Sequence, residues 1–86
     1  MIVLIIINGG IIMNLTAVGA LQEAKEGIRE SSNLVEAQAW YEGFAFGLRE
    51  GGAINERDRD ELLGQISNFT KEETQRRFNH ERNNNT

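Results

Sequence analysis

The chain has no cysteine and no proline among its 86 residues, and only one histidine. Without cysteine, disulfides and thiolate metal sites are excluded, and His80 by itself cannot make a metal site. Without proline, nothing removes a helical amide donor, so continuous helices with short connections are expected. A domain of this length buries only about 60% of the surface its unfolded chain exposes. With disulfide and metal excluded as staples, a homo-oligomer or a protein partner remains as the way to complete so thin a core.

Positive charge is also scarce. Nine Lys and Arg against thirteen Asp and Glu leave a formal charge of −4. That balance argues against nucleic-acid binding, whose affinity comes from neutralising phosphates with basic side chains.

Residues 1–22 lack charge of either sign, and residues 1–7 are almost wholly Ile, Val and Leu. Three readings of residues 1–12 compete. In a β-hairpin, Ile-rich strands would turn at Asn8-Gly9, a dipeptide suited to a type I′ turn. Neither strand alternates polar with apolar residues, so both faces would need covering. A membrane anchor extending over residues 1–22 has the necessary length of roughly twenty residues. However, Asn8, Gly9, Gly10, Asn14, Thr16 and Gly19 dilute it, and no basic segment precedes it. In the third reading, residues 1–12 are a hydrophobic leader outside the native protein, and translation starts at Met13. Gly9-Gly10-Ile11-Ile12-Met13 can be encoded by a purine-rich ribosome-binding site, an AT-rich spacer and a start codon.

From Leu15 the pattern turns helical. Leu15, Val18, Leu21 and Ile28 recur at three- and four-residue offsets, with Glu23, Lys25, Glu26, Arg29 and Glu30 around the rest of the wheel. Asn14 is placed to cap this first helix. Ser31-Ser32-Asn33 ends it, and Asn33 caps the next. The second helix spans Leu34–Glu50. Ala37, Trp40 or Tyr41, Phe44 and Leu48 make its stripe, widened by Val35, Ala39 and Phe46. Gly43 and Gly47, four apart, form a flat strip that lets a neighbouring helix approach closely.

Gly51-Gly52 stops this helix, because glycine takes the left-handed conformation without strain. Ile54 is expected to tuck into the core. Asn55 caps a third helix whose first turn carries Glu56, Asp58 and Asp60, favourable beside the positive dipole end. Leu62, Leu63, Ile66 and Phe69 supply its buried stripe. The two helices form an antiparallel αα-hairpin. Thr70-Lys71-Glu72-Glu73 reads as a capping box, predicting a kink or a fourth helix. Glu72 with Arg76 and Glu73 with Arg77 make favourable i,i+4 pairs. Residues 79–86 are expected to be a disordered polar tail.

The expected fold is therefore all-α: three or four helices about a central hairpin, with one helical domain over residues 13–78. The candidate sites in it are few. Glu56, Asp58, Asp60 and Glu61 lack the spacing of a calcium loop, and helix-start acidity accounts for them. A helix-turn-helix built on the Gly-Gly hairpin would turn four acids and two arginines toward phosphate, the wrong sign. Lys71, Arg76, Arg77 and Arg82, set against Glu72, Glu73 and Glu81, read as a solvated helix with internal ion pairs. His80 has no Ser, Cys or Asp arrangement suggesting a triad. Trp40, Tyr41, Phe44 and Arg49 are the candidate interaction or ligand surface, with Arg49 offering charge to an anion. No catalytic, cofactor-binding or metal-binding residue is expected.

The run from Trp40 through Gly51-Gly52-Ala53-Ile54, followed by Glu61-Leu62-Leu63, resembles the helical hairpins of small orphan proteins from phages and mobile elements. The resemblance covers about a third of the chain and carries no site residue across. The expectation is a non-enzymatic, cytoplasmic protein-interaction module, such as an accessory factor modulating a host protein. The alternatives are a protein that binds or sequesters a nucleotide or other anion, and a membrane-anchored small regulator.

Overall fold

A computed structural model describes residues 4–7 and 11–84, with side chains over 13–82. Two short strands precede three helices: β1 (Leu4–Ile7), β2 (Ile11–Asn14), α1 (Leu15–Glu30), α2 (Leu34–Glu50) and α3 (Glu56–Asn84). The domain is all-α, with the expected antiparallel hairpin formed by α2 and α3.

The strands pair antiparallel, Leu4 opposite Asn14 and Ile7 opposite Ile11, the arrangement of the hairpin reading. The predicted turn at Asn8-Gly9 lies outside the described residues. Met13 on β2 is fully buried and belongs to the same apolar cluster as the helices.

Each helix starts on an asparagine. The Asn14, Asn33 and Asn55 side-chain oxygens accept from the amides of Ala17, Glu36 and Asp58 at 2.8, 3.1 and 2.8 Å. Each bond satisfies one of the amides that a helix start leaves without an internal partner. At the far end of α2, Gly52 takes a φ of 80°. The amides of Gly52 and Ala53 bond back to the carbonyls of Arg49 and Leu48, a Schellman closure that reverses the chain. Ile54, 3% exposed, then drops into the core, as expected.

The core is built mainly from α1 and α3. On α1 the buried face is Ala17, Ala20, Leu21, Ala24 and Ile28. The expected stripe was partly displaced: Leu15 is 54% exposed, and three alanines take the inner positions instead. Small side chains there let the neighbouring helices approach, so the apolar pattern of the large residues alone pointed slightly off the true face. From α3 come Leu62 and Ile66, both fully buried. α2 contributes one fully buried residue, Ala45, and packs Leu34, Ala37, Tyr41, Phe44 and Leu48 partly against the cluster.

α3 corrects three expectations. It is a single helix of 29 residues, with no fourth helix. Thr70 does not cap: its hydroxyl donates to the Ile66 carbonyl one turn back at 2.8 Å, and Thr74 does the same to Thr70. The helix also runs on through residues 79–84, where a disordered tail was expected. Nothing in that stretch breaks a helix, and the Gln75 amide bonds to Asn79 across one turn.

Candidate functional site

The candidate residues do not form one site. Trp40, Tyr41 and Phe44 cluster on α2: Trp40 meets Tyr41 edge-on at 4.8 Å between centroids and lies 5.9 Å from Phe44. Trp40 and Tyr41 line a surface cleft of about 330 Å3 together with Gly27, Ser31, Ser32, Asn33, Glu36 and Ala37. Phe44 is not part of its wall; it packs on the core. Arg49 lies nine residues beyond Trp40, two and a half turns or roughly 13 Å up the helix, and lines other surface depressions beside Ile54 and beside Phe46. The cleft therefore combines aromatic surface with hydroxyls and one carboxylate, Glu36. Among its lining residues there is no Lys or Arg.

Tyr41, rather than Trp40, is the inward residue of the pair. Its ring crosses to α1 and lies against Gly27, while Trp40 stays 64% exposed. That places Trp40 at the margin of a different surface.

The outer face of α2 is largely apolar and exposed. Val35 is 81% exposed and Phe46 50% exposed. Ala39, Gly43 and Gly47 lie exposed between them and Trp40. These residues fall on one side of the helix, at offsets of three and four. Gly43 and Gly47 were expected to let a neighbouring helix approach closely, and no described helix of this chain does so. A Cβ built on either meets nothing within 4 Å. The bundle engages the opposite side of α2, where Tyr41, Ala45 and Leu48 sit, so Val35 and Phe46 do not widen the core stripe as predicted. Phe46 is touched instead by Arg59 of α3, whose guanidinium lies 5.4 Å from the ring centroid and also pairs with Glu56 and Asp60.

A second arrangement was read only in part from the sequence: Glu73 and Arg77 pair at i,i+4 as expected, but their burial and reach to α1 were not foreseen. The buried stripe of α3 runs Asp58, Leu62, Ile66, Thr70, Glu73, with an apolar middle and polar residues at both ends. Glu73 is 4% exposed. Arg76 and Arg77 both donate to its carboxylate, and Arg76, followed by Arg77, holds its pKa down to about 2. The expected partner of Arg76, Glu72, is exposed. Arg77 also donates to the carbonyls of Ser31, Arg29 and Ile28 at 2.6, 2.9 and 3.2 Å. These carbonyls close the end of α1, where only that of Ile28 also accepts a backbone amide, from Ser31, and a cation is favoured there by the helix dipole. With the helix starts Asn14 and Asn55 lining one depression at the other end, α1 and α3 run in the same direction. The sequence signal of the Arg77 contact was the i,i+4 spacing of Glu73 and Arg77; what it lacked was the knowledge that this face is buried.

Among the described residues, no group of three or more His, Asp or Glu is placed to hold a metal ion. No described helix is long and apolar enough to cross a membrane. No family model, curated protein or solved structure matches the chain.

Proposed function

We propose that this chain is a non-enzymatic protein-interaction module that docks through the outer face of α2, as an accessory factor of phage or mobile-element type would dock on a host protein. The observation that carries the reading is α2 itself. A helix of a small globular domain has one apolar stripe and one polar face. α2 has apolar residues on both sides, and the outer set includes three large side chains that are at least half exposed. Solvated apolar surface of this kind, rimmed by charge, marks a place where another molecule packs.

The face can be tested in the source cell with a photoreactive side chain at Val35. It should trap one defined protein. The same group at Glu23, on the exposed side of α1, should not trap it, and Phe46→Asp should abolish the product. Equal trapping from both positions, or none from Val35, overturns the reading.

A further inference from the structure

The charges around the outer face of α2 say what kind of surface would cover it. Glu36 and Glu50 lie toward its two ends and Glu42 along its margin, against Arg49 as the one cation on the helix. Arg59 of α3, which lies over the Phe46 ring, is already paired to Glu56 and Asp60. The apolar face thus has an acidic surround. Between its ends, Ala39, Gly43 and Gly47 remove side-chain bulk at every turn, leaving a shallow channel between Trp40 on one side and Phe46 on the other.

Resting on the interaction reading above, we infer that the occupant is an amphipathic helix with an apolar stripe and basic flanks, laid along α2 over Ala39, Gly43 and Gly47. Large apolar side chains of that helix fill the channel between Trp40 and Phe46, in the manner of helix-in-groove recognition. Lys or Arg residues at its ends meet Glu36 and Glu50. These glutamates are fourteen positions apart, about 21 Å along the helix, so the partner presents basic residues about four turns apart. A second copy of this chain fits less well. Antiparallel pairing about Gly43 would place Trp40 on the copy's Phe46, but it would also set Glu36 against the copy's Glu50, since each lies seven residues from Gly43. Like charges brought together at an interface oppose association.

Trp40 is the only tryptophan of the chain and stands at the edge of the channel, so its emission reports occupancy. The probe is a Leu/Lys amphipathic helical peptide of about eighteen residues, roughly 27 Å long, with a Leu/Glu peptide of the same pattern as control. The Leu/Lys peptide should bind the full chain one-to-one with a blue shift of Trp40, and the Leu/Glu peptide should not. Gly43→Gln with Gly47→Gln fills the channel without changing charge, and open space at both positions lets the fold accept it. That pair, and separately Glu36→Gln with Glu50→Gln, should each weaken binding by about tenfold or more. Equal binding of both peptides, no binding of the Leu/Lys peptide, or no loss in the channel-filled variant overturns the inference. So does self-association of the free chain through this face, seen as a sedimenting dimer that Gly43→Gln with Gly47→Gln dissolves. In these cases trapping at Val35 decides separately whether the face is an interface at all.

Discussion

Tyr41 lays its ring on the bare backbone of Gly27, and there is no room between them for a methyl group. A Cβ at Gly27 would lie 2.5 Å from the Tyr41 Cζ and 2.6 Å from Cε2, with the hydroxyl nearer still. The glycine weakens α1 by about 1 kcal/mol relative to alanine, and in exchange α2 approaches closely enough to bury part of a tyrosine. Gly27→Ala should therefore destabilise the protein by about 1 kcal/mol net, since strain of about 1–3 kcal/mol outweighs the helix gain. Urea unfolding measures it. In a Tyr41→Leu background the same change should be neutral or stabilising, because the clashing ring is gone.

Gly43 and Gly47 should respond in the opposite direction. Neither has an atom within 4 Å of a built Cβ, and both lie within a helix on the exposed side. Each Gly→Ala change should stabilise the fold by up to about 1 kcal/mol, the ordinary propensity difference. Read in the same urea titrations, a loss of stability at either position would mean that the α2 face is covered in the free protein.

The three helix starts and the end of α2 were legible because they are written in local chemistry. Asn14, Asn33 and Asn55 each bond an amide three residues on, and Gly52 reverses the chain; none of this needs tertiary information. Packing faces were less legible. On α1 the inner positions belong to alanines, which carry almost no hydrophobic signal. On α2 apolar residues occur on both sides, so the sequence could not tell Tyr41 from Trp40, nor show that Val35 and Phe46 face outward. The largest miss was on α3. Its buried stripe becomes polar at Thr70, and a polar residue at helical spacing reads as an end or a cap unless a partner across the bundle is known. The acceptors for Arg77 lie 46 to 49 residues away in sequence, beyond the reach of any local pattern. Of the candidate surface residues, Trp40, Tyr41 and Phe44 lie together, while Arg49 sits beside other depressions, a separation that helical spacing alone does not show.

The caps themselves can be tested. Asn55 holds the start of α3 immediately after the Gly52 reversal, so its loss should loosen the hairpin. Asn55→Ala should cost about 1 kcal/mol, and Asn55→Asp, which keeps an acceptor oxygen beside the positive helix end, should cost little. Hydrogen exchange at the Asp58 amide, which donates to Asn55 at 2.8 Å, should rise in the alanine variant and stay protected in the aspartate variant. Equal exchange in both would show that the side-chain oxygen does not hold this turn.

Glu73 makes stability depend on acid. Its carboxyl, ordinarily at 4.5, is held to about 2 by Arg76 and then Arg77. A group whose pKa is lowered by folding favours the fold in its charged form, so its contribution is complete above about pH 4.5 and is lost as the pH falls toward 2. The size is on the order of 1–2 kcal/mol, reduced from the full shift because Arg76 is largely open to water and its charge is screened. Glu73→Gln should therefore be less stable than the parent near neutral pH, with the gap closing between about pH 4.5 and 2. Comparing the two proteins removes the titration of the other carboxylates, which both share. Arg77→Lys separates the two roles of the network: it keeps a charge near Glu73 but cannot reach three carbonyls of α1 with one planar fork. It should retain much of the pH dependence while speeding exchange of the amides in the last turn of α1. If Glu73→Gln differed from the parent by the same amount at every pH, Glu73 would be holding the bundle by shape rather than by charge.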